Sequence, residues 1–174
     1  MDNILKISIT GPESSGKSDL SEALAKYFKT SFAPEYAREF LEKTGGDYDY
    51  NDLIAIAQGQ LQNERLALDS ASEVCFFDTD MLVLKVWSQF RFNKLPELIE
   101  SAFEDKRYNH YLLCKPDIGW EADAFRESPN QKERDILFGI YKDELDKMEA
   151  SYHIISGRGE ARINSAVAFV KSLY

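Results

Sequence analysis

Apolar positions along this chain follow two alternating rhythms. Short β-branched or aromatic runs are separated by longer stretches in which an apolar residue recurs every three or four positions. Ile4–Thr10 (ILKISIT) reads as a first strand ending on a glycine, and Lys17–Lys29 carries Leu20, Leu24 and Phe28 at helical spacing. The brief run SFAP precedes EYAREFLEKTGG, which predicts a helix closing on Gly45 and Gly46. Asn51–Ser72 predicts one long helix with Ile54, Ala57, Leu61 and Leu68 on one face and Asp52 near its start. Val74–Asp78 (VCFFD) predicts a buried strand, followed by helical segments over about Met81–Phe92 and Leu95–Asp105. His110–Pro116 predicts a third strand, stopped by its proline. RDILFGIYKDELDKM then places Leu137, Tyr141, Leu145 and Met148 at helical spacing. YHIIS predicts a last strand, and a helix follows Gly157-Arg158-Gly159. Strands separated by helices predict a parallel sheet covered on both faces, an α/β domain of three layers.

Composition narrows the class. A chain of 174 residues, with neither repeat nor linker, predicts a single domain over 1–174. Its 44% hydrophobic and 29% charged residues are those of an ordinary globular protein. A net charge of −9 without a basic run argues against nucleic acid as a partner. No window reaches the roughly 20 apolar residues of a membrane-spanning helix, and the N-terminus lacks the pattern of a signal peptide. The two cysteines, Cys75 and Cys114, sit in apolar runs and read as buried reduced thiols. A cytoplasmic location is the expectation.

Chemistry enters at Gly11–Ser18 (GPESSGKS), which fits G-x-x-x-x-G-K-[ST] between a predicted strand and a predicted helix. In such a loop, backbone N–H groups and the helix N-terminus hold phosphate oxygens. Lys17 would neutralise the β- and γ-phosphates of ATP, and the Ser18 hydroxyl would ligate Mg²⁺. The candidate ATP-binding set is Gly11, Pro12, Glu13, Ser14, Ser15, Gly16, Lys17, Ser18 and Asp19. Gly157, in the turn after the last strand, is added for a close backbone approach to the adenine ring.

Asp78 ends a buried strand, where a phosphate-binding domain holds an acid against the Mg²⁺ shell. Asp80 either contacts metal or acceptor, or it caps the following helix, a role open to Thr79 as well. Glu35 falls at the expected C-terminal edge of the sheet, where ligands bind in open α/β folds. It reads as a general base or sugar contact, or as an acid favoured at a helix start after Pro34. Trp120 and Asp123 lie beyond the third strand. Arg126 and Arg134 flank a polar stretch and suit a lid, around 120–134, that closes over a triphosphate. The bland alternative is an exposed loop leading into a helix.

NKLP (Asn93–Pro96) lacks the aspartate of a GTPase base motif, and the chain is too short for a large motor. Phosphoryl transfer to a small molecule remains. The pieces GPESSGKS, PEYARE, AQGQ, FFDTD and YLLCKPDIGWEADAFR, in this order, resemble the ribosylnicotinamide kinase domain of NadR-type NAD-salvage proteins. The resemblance implies a nucleoside-kinase-like P-loop fold and ATP- and Mg²⁺-dependent phosphorylation of nicotinamide riboside to nicotinamide mononucleotide. It implies catalytic roles for Lys17, Asp78, Glu35, Arg126 and Arg134, and metal contacts from Ser18 and Asp78. Glu35, Tyr36, Asp80, Trp120 and Asp123 would line the nucleoside pocket. Ala124 stands where the family pattern W-x-x-D-G-x-R has glycine, which predicts a stiffer loop. Bifunctional members carry an upstream adenylyltransferase domain and some a helix-turn-helix; neither is expected here, nor NAD synthesis or repression. A kinase for another nucleoside or small metabolite, and an ATP-binding regulatory module that is not a kinase, are the alternatives.

Overall fold

A computed structural model of the chain describes residues 4–105, 108–119, 128 and 130–174. Among these residues, β1 (Leu5–Thr10), β2 (Phe32–Ala33), β3 (Val74–Asp78), β4 (His110–Cys114) and β5 (Tyr152–Ile155) form one parallel sheet. The strand order is β2-β3-β1-β4-β5. The helices are α1 (Lys17–Phe28), α2 (Tyr36–Thr44), α3 (Asp52–Asp69), α4 (Met81–Phe92), α5 (Glu97–Glu104), α6 (Gln131–Lys147) and α7 (Gly159–Lys171). The α/β expectation is met.

Period-two alternation assigns each strand residue to a face. Ile7, Ile9, Val74, Phe76, Leu112, Cys114 and Ile155 meet Leu20 and Leu24 of α1 and Ala166 and Val170 of α7. On the opposite face, Tyr111 and Leu113 meet Leu82 and Val86 of α4 and Leu137, Tyr141 and Leu145 of α6. A further apolar cluster joins α2, α3, α4 and α5 through Ala37, Leu53, Ile56, Met81, Leu84 and Ile99. Phe76 and Phe77, pointing to opposite faces, are 0% and 1% exposed. Each such buried ring contributes roughly 1.5–3 kcal/mol. Cys75 and Cys114 are buried free thiols, as their apolar surroundings predict.

The second face of β1 is polar. Ser8 Oγ donates to Asp80 Oδ2 at 2.6 Å and Thr10 Oγ1 to Asp80 Oδ1 at 3.3 Å. Val83 N–H donates to Asp80 Oδ1 at 2.9 Å, so Asp80 caps α4. All three side chains, Ser8, Thr10 and Asp80, are fully buried and mutually satisfied. This knot ties β1 to the start of α4 beneath the sheet's C-terminal edge.

Some boundaries move for local reasons. Lys29, at φ 52, turns left-handed and ends α1 at Phe28. α6 begins at Gln131 because Asn130 caps it through Lys132 N–H at 2.9 Å. The register pairs Ile9 with Asp78, so the loop after β1 and the acid ending β3 are neighbours. The chain leaves β1 toward β2 and leaves β3 toward β4, in opposite directions across the sheet. Those departures open a crevice at the topological switch point between β1 and β3.

Candidate active site

The loop between β1 and α1 is shaped by conformations that few residues adopt. Gly11 has φ +133, and a Cβ there would lie 2.7 Å from the Cys114 carbonyl oxygen. Glycine is the residue that fits both constraints. Ser14 (φ 53) and Gly16 (φ 72) are also left-handed, and Gly16 caps α1. Ser15 Oγ donates to the Pro12 carbonyl at 2.6 Å, and Lys17 Nζ donates to the same oxygen at 3.1 Å. The result is a closed turn presenting the N-terminus of α1, an arrangement suited to anionic oxygens.

The turn forms one wall of a cavity of about 320 Å³. Every residue from Gly11 to Asp19 lines it, together with Glu35 and Arg38. The remainder of the lining is largely apolar and aromatic: Leu41, Tyr48, Val83, Val86, Trp87, Phe90, Leu137 and Tyr141. Trp87 Nε1 donates to Tyr48 Oη at 2.9 Å, and their ring centroids lie 4.8 Å apart. This aromatic lobe was not anticipated in the sequence. Trp87, Phe90 and Arg91 recur at helical spacing on α4, a pattern that reads as ordinary amphipathic periodicity until α2 and α6 are placed opposite.

Asp78 is 2% exposed. Burial raises its pKa to about 7, helped by the negative charge of Glu35 and opposed by hydrogen bonding from Ser18 and by Lys17. Its Oδ1 and the Ser14 hydroxyl are buried without a hydrogen-bond partner among the described residues. A buried carboxylate oxygen left unmatched beside Ser18 and Lys17 suits a cation or a donor brought by a ligand. No cluster of three His, Cys, Asp or Glu side chains that could hold a metal occurs among the described residues. Mg²⁺ commonly takes one or two protein ligands and completes its shell with phosphate oxygens and water. Ser18 and Asp78 fit that sparse donor set.

The other expected residues are placed unevenly. Glu35 ends the turn before α2 and lines the cavity. Tyr36 lies against Gly59, outside the lining: a Cβ on Gly59 would stand 2.2 Å from its ring. Asp80 is enclosed in the knot with Ser8 and Thr10, so the capping alternative is the role the geometry gives it. Arg134 stands within α6, 2% exposed, where Nη1 donates to the Ser128 carbonyl at 2.9 Å and Nη2 to Gln131 Oε1 at 2.6 Å. It braces the start of a helix, and the Asn130 cap makes 131–134 helical. Glu13 accepts from Ser128 N–H, tying the phosphate loop to the same region. Trp120, Asp123, Ala124 and Arg126 lie outside the described residues.

Gly157 stands apart from the cavity but joins a network that reaches it. Its N–H donates to Asp117 Oδ2 at 2.8 Å, and its carbonyl accepts from Arg162 Nη1 at 3.0 Å. Arg162, 5% exposed on α7, also donates to Asp117 Oδ1 at 3.1 Å, to the Ser15 carbonyl at 2.5 Å and to the Lys115 carbonyl at 3.3 Å. One guanidinium therefore fixes the phosphate loop to the ends of β4 and β5. Sequence reasoning passed over it, since a lone arginine on an amphipathic helix reads as solvent-facing.

A glycine-shaped anion turn, a strand-end acid and a crevice at the switch point define the class: a P-loop nucleotide-binding domain. A family profile described as "AAA domain" matches residues 6–162, and the chain belongs to that family. It is 27% identical over 172 residues to the trifunctional NAD biosynthesis/regulator protein NadR of Salmonella typhimurium, covering 96% of this chain and 42% of that protein. It is 30% identical over 132 residues to the Escherichia coli protein of the same name, covering 74% of this chain and 32% of the relative. The chain thus spans less than half the length of either. Among solved structures, a NadR protein in complex with NR superposes with TM-score 0.78 at 20% identity, covering 98% of this chain and 51% of that one. A NadR protein in complex with NAD and AMP-PNP gives TM-score 0.80 at 21% identity, covering 98% and 49%. A thymidylate kinase from Ehrlichia chaffeensis gives 0.65 at 15%, covering 99% and 100%. The fold is that of the P-loop nucleoside and nucleotide kinases.

Proposed function

We propose that this chain is a cytoplasmic kinase that phosphorylates nicotinamide riboside at its 5′-hydroxyl, with ATP and Mg²⁺, giving nicotinamide mononucleotide for NAD salvage. The observation that carries the reading is one cavity with a phosphate loop on one wall and an aromatic lobe on another. A donor and a planar acceptor can meet there without crossing the protein. Nicotinamide riboside carries a cationic ring, which suits Tyr48, Trp87 and Tyr141 through cation–π attraction and suits a chain of net charge −9. The NadR relatives, one of them solved with NR, support that acceptor over other nucleosides.

When bound, ATP supplies the γ-phosphoryl group and Mg²⁺ neutralises its oxygens. Lys17, held here by the Pro12 carbonyl, would neutralise the β- and γ-phosphates. Ser18 and Asp78 would hold the cation. Glu35, on the cavity wall, takes the proton of the 5′-hydroxyl as the new O–P bond forms and the bond to ADP breaks. Most of the acceleration comes from alignment and from charge fixed in advance.

ATP consumption is to be measured against a panel of nucleosides, with Lys17→Met as control. The expected result is ADP release stimulated at least about tenfold by nicotinamide riboside and abolished in the variant. Hydrolysis indifferent to every nucleoside would instead identify a regulatory module.

A further inference from the structure

The long helix α3 does more than cover the sheet. Three residues on it meet one short segment, Pro34-Glu35-Tyr36: Gln60 and Asn63 hold its backbone and Gly59 receives the Tyr36 ring. Gln60 Oε1 accepts from the Tyr36 N–H at 2.9 Å. Asn63 Nδ2, one turn further, donates to the Pro34 carbonyl at 3.2 Å. Gly59 leaves room for the Tyr36 ring, which occupies the space of its missing side chain. The other end of the Gln60 amide points to the opposite acid: Nε2 donates to the Thr79 carbonyl at 3.3 Å and stands 3.5 Å from that of Asp78.

A glutamine only 1% exposed in a helix interior incurs a desolvation cost unless its amide is matched on both sides. Here both sides are matched, and the partners are the backbone flanking Glu35 and the backbone at Asp78. Thr79, at φ 73, is itself in a conformation non-glycine residues rarely adopt, and its carbonyl is one that Gln60 holds. The amide cannot shift without releasing one side or the other.

We infer that Gly59, Gln60 and Asn63 form a rail of positioning residues that sets the placement of Glu35 relative to Asp78. The inference rests on the kinase reading for its consequence, since the two acids flank the transferred group only if an acceptor is bound. None of the three lines the cavity. Their effect is on alignment, where a displacement of about 1 Å can cost on the order of 100-fold in rate.

The test uses the full chain, with Gln60→Leu, close in size and unable to hydrogen-bond, and Asn63→Ala, at an exposed bond that leaves the core intact. Steady-state kinetics with ATP and nicotinamide riboside, thermal melting, and hydrogen exchange at the Tyr36 amide are read for each. Gln60→Leu is expected to lower kcat by roughly 10- to 100-fold. Its KM for ATP should stay within about twofold, because the phosphate loop and Lys17 are untouched. Asn63→Ala should lower kcat by a few-fold, about the worth of one exposed hydrogen bond. The Tyr36 amide should exchange faster in Gln60→Leu while amides of β1 keep their protection. A folded Gln60→Leu protein with unchanged kcat overturns the inference, as does a proportional loss of ATP affinity. If the parent shows no acceptor-stimulated turnover, the kinase reading fails, and unchanged exchange at Tyr36 then overturns the rail separately. If Gln60→Leu does not fold, Asn63→Ala decides, and parental kcat in that variant counts against the rail.

Discussion

Asp78 carries an electrostatic tension that makes a prediction independent of the substrate. Burial, then repulsion from Glu35, holds its carboxyl up at about 7, against an ordinary 3.8. Across that interval the folded chain binds more protons than the unfolded one, so in EDTA this group makes stability fall as pH rises from about 4 to about 7. Asp78→Asn removes the cost. It should melt several degrees above the parent at pH 8, the difference vanishing near pH 4, as expected for a few kcal/mol at this chain length. Equal shifts at both pH values, measured by thermal melting, would contradict the account. The same variant should lose on the order of 100-fold in kcat, with ATP affinity changed far less.

At this scale the sequence was readable where a residue's role follows from its neighbours in the chain. Lys17 and Ser18 come with their loop, and Asp78 comes with its strand end. Tyr36 and Arg134 were not readable, because their roles depend on which way a side chain leaves the backbone, and the same information was needed to choose between the two roles open to Asp80. The same AQGQ segment that counted only as a resemblance holds Gly59 and Gln60, whose partners lie 18–24 residues away in sequence.

Among elements, four strands were legible because each is an apolar run with a clear stop, and β3 came out with its sequence boundaries, Val74–Asp78, whereas the two-residue β2 (Phe32–Ala33) read only as the brief run SFAP. The helices were legible by period but not by end: α6 starts three residues before the predicted Arg134, at the Asn130 cap. What no element declares alone is how two are joined. Arg162 of α7 reaches the Ser15 carbonyl of the phosphate loop, and no spacing links positions 147 residues apart. Arg162→Met should raise KM for ATP by about tenfold or more through loss of these bonds, with kcat lowered less. Arg162→Lys should restore only part, since a point charge cannot span Ser15, Lys115, Asp117 and Gly157 together. Equal effects on kcat and KM, or full rescue by lysine, would count against the clamp.

For the whole molecule, the order β2-β3-β1-β4-β5 brings the loop after β1 and the acid ending β3 to one crevice, and α2, α4 and α6 wall in the aromatic lobe. No helix among the described residues is long and apolar enough to cross a membrane. The central claim concerns what leaves the cavity. The most direct measurement incubates the purified chain with Mg²⁺, ATP and nicotinamide riboside and quantifies both products by mass spectrometry. One nicotinamide mononucleotide for each ADP is the predicted result. ADP accumulating without a phosphorylated nucleoside would contradict it.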